Sequence, residues 1–196
     1  MINKDTHNRI FNSIIKEHKS ALNHLEKMYF DPILQAARTI SFAIKNNSTI
    51  FFCGNGGSAS DSEHLAAELV GRFKKERPSL RSISLASNIS ILTCISNDYS
   101  YEEVFSRQLS GLANKNDVLV AISTSGNSLN LVKCIEVAKK IKVKTISLLG
   151  KNGGILKSIS DQSIVIRSDE TARIQEMHIL IGHILCEMIE LELGYA

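Results

Sequence analysis

Two short stretches of this 196-residue sequence are rich in anion-binding groups, and two distant stretches carry groups that move protons or hold metals. The first, Gly54-Asn55-Gly56-Gly57-Ser58-Ala59-Ser60, has glycines that let a backbone approach a ligand closely, ahead of a helix start with free N–H groups. The second, Ser123-Thr124-Ser125-Gly126-Asn127-Ser128, packs four hydroxyls into six residues ahead of a helix beginning near Leu129. Hydroxyl donors beside a helix start suit a phosphate monoester, whose oxygens accept several hydrogen bonds and require no lysine. As local structure alone, the same residues are turn formers and Ser128 is a helix cap. Two such loops in one short chain favour the ligand.

The proton- or metal-handling groups lie on helices. His64, Glu68 and Arg72 are spaced by four and share one face, leaving Leu65, Ala66, Leu69, Val70 and Phe73 to pack inward. Gln175 and His183 are eight positions apart, roughly 80° around a helix at about 100° per residue, with Ile179 between. Singly, His64 and Glu68 make a surface pair worth about 0.3 kcal/mol, and His183 is a core histidine. If the two helices meet, His64, Glu68, Gln175 and His183 offer two nitrogens and two oxygens, a set that a divalent metal such as zinc accepts.

Other chemistries find less support. Gly54, Gly56 and Ala59 fit the dinucleotide spacing G-x-G-x-x-G/A, but the next strand ends Ala86-Ser87-Asn88, without the carboxylate that holds a ribose. No G-x-x-x-x-G-K-[ST] run is present. With 23 Lys plus Arg against 20 Asp plus Glu, the net charge of +3 is too small for a nucleic-acid footprint. The one basic cluster, Lys74, Lys75 and Arg77, reads as a solvated helix end. Cys53, Cys94, Cys134 and Cys186 form no C-x-x-C pair and read as free thiols. The polar start, Met1 to Asn12, lacks the apolar stretch of a secretory signal, and no segment approaches the run of about 20 apolar residues that spans a membrane.

What must position these groups is an alternation of elements. Apolar spacing predicts helices over 3–27 and 31–46, a hairpin ahead of the first strand. Short β-branched or apolar runs then predict strands at 49–53, 81–86, 118–122, 145–149 and 162–166, with helices near 59–73, 101–113, 128–140 and 170–192. Nearly continuous apolar strands alternating with helices argue for a parallel sheet covered on both faces, with ligands at the carboxyl ends of the strands. The expected organisation is one domain over 1–196, a helical hairpin at 1–47 and an α/β core at 48–196.

Four strings occur in order: GNGGSASDSEHLAAELVGRF (54–73), SNDYSYEEVFSRQL (96–109), ISTSGNS (122–128) and DETARIQEMHILIGHILCEMIE (169–190). Together they resemble the phosphoheptose isomerases, or sedoheptulose 7-phosphate isomerases, a family of sugar isomerase (SIS) domain proteins. The resemblance implies a flavodoxin-like three-layer sandwich around a five-stranded parallel sheet. It implies a cytoplasmic homotetramer with sites between subunits and one zinc per subunit. The implied reaction converts D-sedoheptulose 7-phosphate into D-glycero-D-manno-heptose 7-phosphate, supplying heptose for lipopolysaccharide or capsule, with no nucleic-acid or membrane partner.

Carried over by position, Asn55, Gly56, Gly57, Asn97 and Asp98 match substrate-contacting residues. Ser123, Thr124, Ser125 and Ser128 match the phosphate loop. His64, Glu68, Gln175 and His183 match zinc ligands, with Glu68 and Gln175 also touching substrate and Glu68 and His183 catalytic. The residues that vary lie elsewhere, at positions such as Ser62 and Gly182. A rival reading is a SIS-domain binding protein resembling the replication-initiator-associating protein. Phosphosugar-sensing regulators normally add a helix-turn-helix segment, for which 196 residues leave no room.

Overall fold

A computed structural model describes residues 3–195; Met1, Ile2 and Ala196, and with them the outer ends of the 1–47 and 48–196 ranges, lie outside it. Five strands pair in parallel: β1 (Ile50–Gly54), β2 (Ser82–Ser84), β3 (Val118–Ser123), β4 (Lys144–Gly150) and β5 (Gln162–Ile166). Their order is β2-β1-β3-β4-β5, so the chain reverses its direction of travel across the sheet between β1 and β3. That reversal opens a crevice at the strand ends, where open α/β sheets bind ligands. The loops that follow β1 and β3 are the two stretches whose glycines and hydroxyls suit an anion.

The sheet is covered on both faces because its central strands are apolar on both. Every residue of β1 and β3 is buried. Ile50, Phe52, Val118, Val120 and Ile122 pack under α2 (Phe30–Lys45), α3 (Gly57–Val70) and α8 (Thr171–Glu192), while Phe51, Cys53, Leu119 and Ala121 pack toward α5 (Ser106–Leu112) and α6 (Leu129–Lys140). The alternation follows the period of two along a strand. Helix α1 (Lys4–Met28) is separated from α2 by Tyr29 alone and docks on α8 rather than lying along α2, with His18 Nδ1 2.7 Å from Glu176 Oε2. An N-terminal helical region is therefore present without the packed pair the hairpin expectation implied. All four cysteines are free, and no helix among the described residues is long and apolar enough to cross a membrane.

The sequence expectations differ from the structure in five further places, the first being β2, which pairs only over Ser82–Ser84 of the expected 81–86. Helix α3 stops at Val70: the Gly71 N–H makes the last helical bond, to the Ala67 carbonyl, and Gly71 itself leaves helical geometry at ψ −110; Val70 is exposed. The helix expected over 101–113 divides into a 3₁₀ turn at Tyr101–Glu103 and α5. Two further helices were not expected, α4 (Ile89–Asp98) and α7 (Gly154–Ile159). Each buries a single residue, Ile95 or Leu156, so neither leaves an apolar period to read. The basic cluster is not one solvated end: Lys74 and Lys75 are exposed, but the Arg77 side chain is 0% exposed and paired with Glu190.

Candidate active site

The candidate anion end of the site is built from main chain and short side chains. Gly56, at φ +55, precedes the first turn of α3, a conformation that costs glycine nothing. Gly126, at φ +67, lies so close to the β4–α7 loop that an added Cβ would stand 2.0 Å from the Gly153 carbonyl oxygen. Ser123 Oγ accepts the Gly126 N–H at 3.0 Å and Ser125 Oγ accepts the Asn127 N–H at 3.2 Å, so these hydroxyls also shape their own loop. Ser128 precedes α6 yet makes no capping bond, which leaves its hydroxyl for another partner. The two loops are tied together. Asn55 and Asn130 exchange amide hydrogen bonds at 3.0 and 2.8 Å, and the Tyr101 hydroxyl donates to Asn55 Oδ1 at 2.9 Å.

The other end is built where α3 crosses α8. Gly182 has no side chain, and a Cβ there would stand 2.5 Å from Leu65 Cδ2, so the helices meet at van der Waals distance. This contact brings together residues 119 positions apart: His183 Nε2 lies 3.4 Å from His64 Nε2, and His64 Nε2 lies 3.0 Å from Glu68 Oε1. One ligand atom from each of these three residues falls within 4.8 Å of the others. A single proton on His64 Nε2 cannot serve both neighbours, whereas a cation can accept from all three. Two imidazole nitrogens and a carboxylate also form a donor set that zinc favours, so the residues fit a divalent metal. Gln175 approaches along the same helix, its Nε2 2.6 Å from where a Gly57 Cβ would stand, beside the first turn of α3.

Expectation and geometry part at a few residues. Arg72 does not join the His64–Glu68 group; its Nε lies 3.7 Å from Glu76. Asn97 and Asp98 end α4, exposed and bonded to each other at 2.9 Å, with no hydrogen bond to either loop among the described residues. Three neighbours of the site escaped sequence reasoning. Asn130 follows the hydroxyl loop by two residues and is 3% exposed. Phe73 stacks on the His183 ring, 5.5 Å between centroids at 26°. Asp61 sits one turn before His64 with a buried, unpartnered Oδ2; burial raises its pKa, and the fields of His64 and His183 pull it part of the way back. Only Asp61 had a readable signal, its i,i+3 spacing from His64.

The SIS domain pattern matches residues 14–150. The phosphoheptose isomerase of Helicobacter pylori (strain ATCC 700392 / 26695) is 52% identical over 184 residues, 92% of this chain and 96% of that protein. That of a Nitratiruptor species is 60% identical over 148 residues, 76% of this chain and 79% of its own. The structure of phosphoheptose isomerase GmhA from Neisseria gonorrhoeae superposes with a TM-score of 0.89 at 36% identity, covering 94% of this chain and 98% of that one. The chain belongs to the phosphoheptose isomerase family of SIS-domain proteins.

Proposed function

We propose that this site isomerises D-sedoheptulose 7-phosphate to D-glycero-D-manno-heptose 7-phosphate. The observation that carries the reading is the placement of His64, Glu68 and His183 beside two anion-binding loops at the β1/β3 crevice. Ser123, Thr124, Ser125 and Ser128 hold the phosphate, and Asn55, Gly56, Gly57, Asn97, Asp98 and Gln175 contact the sugar. Anchoring the phosphate remotely fixes C1 and C2 of the ketose against the side chains of α3 and α8. Glu68 removes a proton from C1, giving an enediolate, and returns it at C2. His183 carries a proton from O1 to O2, so ketose becomes aldose with no net change in composition.

His64, Glu68, Gln175 and His183 would hold one zinc per subunit. When bound, the metal polarises the carbonyl and stabilises the negative charge that develops on the oxygens. The chain acts as one SIS domain, helical region 1–47 and core 48–196, since α2 packs along α8 and shares its core. Exposed Ile10, Phe11 and Ile14 on α1 and Phe42 on α2 give it apolar surface for a homotetramer. The reaction belongs in the cytoplasm, feeding heptose to lipopolysaccharide or capsule.

Proton NMR of the purified protein with sedoheptulose 7-phosphate in heavy water, with and without chelator, tests the reading. Aldose anomeric signals with solvent deuterium at C2, lost on chelation and restored by zinc, are the expected result. No aldose from folded, zinc-loaded protein would overturn it and favour the binding-protein alternative.

A further inference from the structure

Among the described residues, the most densely bonded side chains lie outside the proposed ligand-facing residues, where the loop after α3 meets α8. The Arg77 and Glu190 side chains are 0% and 3% exposed, with Arg77 Nε 3.0 Å from Glu190 Oε1. The guanidinium also donates to the main-chain carbonyls of Glu68 (2.7 Å), Leu69 (2.9 Å), Gly71 (3.3 Å) and Pro78 (3.1 Å). Two of these belong to the last turn of α3, whose carbonyls have no partners within the helix. Glu190 accepts three successive main-chain N–H groups, those of Phe73, Lys74 and Lys75, at 3.1 to 3.2 Å. Burial pushes the Glu190 carboxyl up, but these N–H groups and Arg77 more than offset it and hold its pKa below the usual range.

A buried ion pair is a poor source of stability, because desolvating two charges cancels most of their attraction. This one does what an apolar pair of the same volume could not: it grips four carbonyls and three amides and ties them to one point on α8. That point lies seven residues after His183, two turns along the same helix face. The gripped segment carries Phe73, whose ring stacks on His183 at a 26° tilt with 5.5 Å between centroids. His64 meets the same imidazole edge-on, 5.1 Å between centroids at 63°. His183 is therefore held between Phe73 and His64, and Glu68 is held by its own backbone.

We propose that Arg77, Glu190 and Phe73 are positioning residues that set the imidazole of His183 against His64 and Glu68. The inference rests on the isomerase reading only for its kinetic consequence; the geometric claim concerns the metal-free protein.

The test compares Phe73→Leu, Phe73→Tyr, Arg77→Lys and Glu190→Gln with the parent chain. It reads kcat and KM for sedoheptulose 7-phosphate, the thermal unfolding midpoint, and the histidine Hε1 proton resonances of metal-free protein. Phe73→Leu keeps apolar volume and loses the aromatic face, so it is expected to unfold near the parent midpoint. Its KM should stay within about twofold while kcat falls about ten- to a hundredfold, the scale of a small misplacement at a reacting group. Its His183 resonance should move as the ring current is lost, and Phe73→Tyr should restore both. Arg77→Lys keeps the charge but cannot bridge Glu190 and the Glu68 carbonyl together, and should lower kcat more than it raises KM. The proposal is overturned if Phe73→Leu keeps the parent kcat with an unmoved His183 resonance, or if the Arg77 and Glu190 variants lose stability alone. An inactive parent protein overturns the isomerase reading instead, and the Hε1 shifts still decide the positioning claim.

Discussion

The two ends of the site are made in different ways. The anion end uses runs of seven and six consecutive residues, mostly main chain, glycine and hydroxyl, set at the ends of neighbouring strands. The proposed proton-transfer end uses side chains from α3 and α8, which meet where Gly182 admits Leu65. A phosphate site can be assembled from local geometry, since a strand end, a tight turn and a helix start suffice. A proton-transfer site needs atoms placed to a few tenths of an ångström by tertiary packing. The anion end should therefore tolerate loss of a single hydroxyl, though not a side chain at Gly126, whose Cβ would meet the Gly153 carbonyl. The other end should not tolerate single changes.

The largest test of that contrast is Glu68→Gln. The amide keeps the shape beside His64 but cannot take the C1 proton, so kcat should fall about 10²- to 10⁴-fold with KM little changed. Steady-state kinetics at saturating zinc measures this. A variant with near-parental kcat would remove Glu68 from the role of base and leave the two ends equal in importance.

The same contrast explains what could be read from the sequence. The sheet was legible because β1 and β3 are buried on both faces and so appear as unbroken apolar runs; β5 matched its expected bounds, residues 162 to 166. The anion loops were legible because their residues are neighbours in the chain. His64, Glu68 and His183 stood out individually by residue type and spacing, but their meeting depended on the α3–α8 crossing. The identity of residue 182 does not announce that crossing. Arg77 was misread because a charged residue three positions after Lys74 has no local sign of burial; its partner Glu190 lies 113 positions away. Helices α4 and α7 were missed because each buries only one side chain.

Within α8 the contrast recurs between two histidines. His183 is half-buried and has partners, while His178 is 0% exposed with neither ring nitrogen hydrogen-bonded. Burial lowers the His178 pKa from 6.5 to about 4; the Leu149 backbone pulls it slightly back up without forming a well-directed bond. A lowered imidazole pKa means the unfolded chain takes up the proton first. The contribution is intact above about pH 6.5 and is lost as pH falls toward about 4, at a cost approaching 3 kcal/mol. Denaturant unfolding across this window should show the loss in the parent chain, and His178→Phe should flatten it. A parent curve already flat there would sink the prediction.

Ser128→Ala probes the tolerant end. The hydroxyl makes no capping bond, so its loss should leave the unfolding midpoint unchanged. One charge-assisted bond to phosphate is worth about 1.4 kcal/mol, or tenfold in KM, with kcat retained. A fall in kcat at constant KM would mean that the loop reaches the reacting atoms, and the division between the two ends would not hold.

The smallest effect is expected from Glu187→Ala, and it sharpens the division from the other side. Glu187 and Glu190 lie three residues apart on α8, and both face the segment after α3. Glu187 meets the Lys74 Nζ at 2.8 Å with side chains 59% and 56% exposed, where water screens the attraction and two long side chains lose freedom to hold it. Glu190 meets main-chain amides and Arg77 out of water. Removing the Glu187 carboxylate leaves every one of those bonds in place, so stability should change by at most about 0.5 kcal/mol. With His183 still held, kcat should stay within about twofold of the parent, well short of the hundredfold that a 1 Å misplacement can cost. A larger drop would mean that the rim pair, rather than the buried cradle, aligns α3 with α8, and the proton-transfer end would then owe its geometry to a contact that salt can weaken.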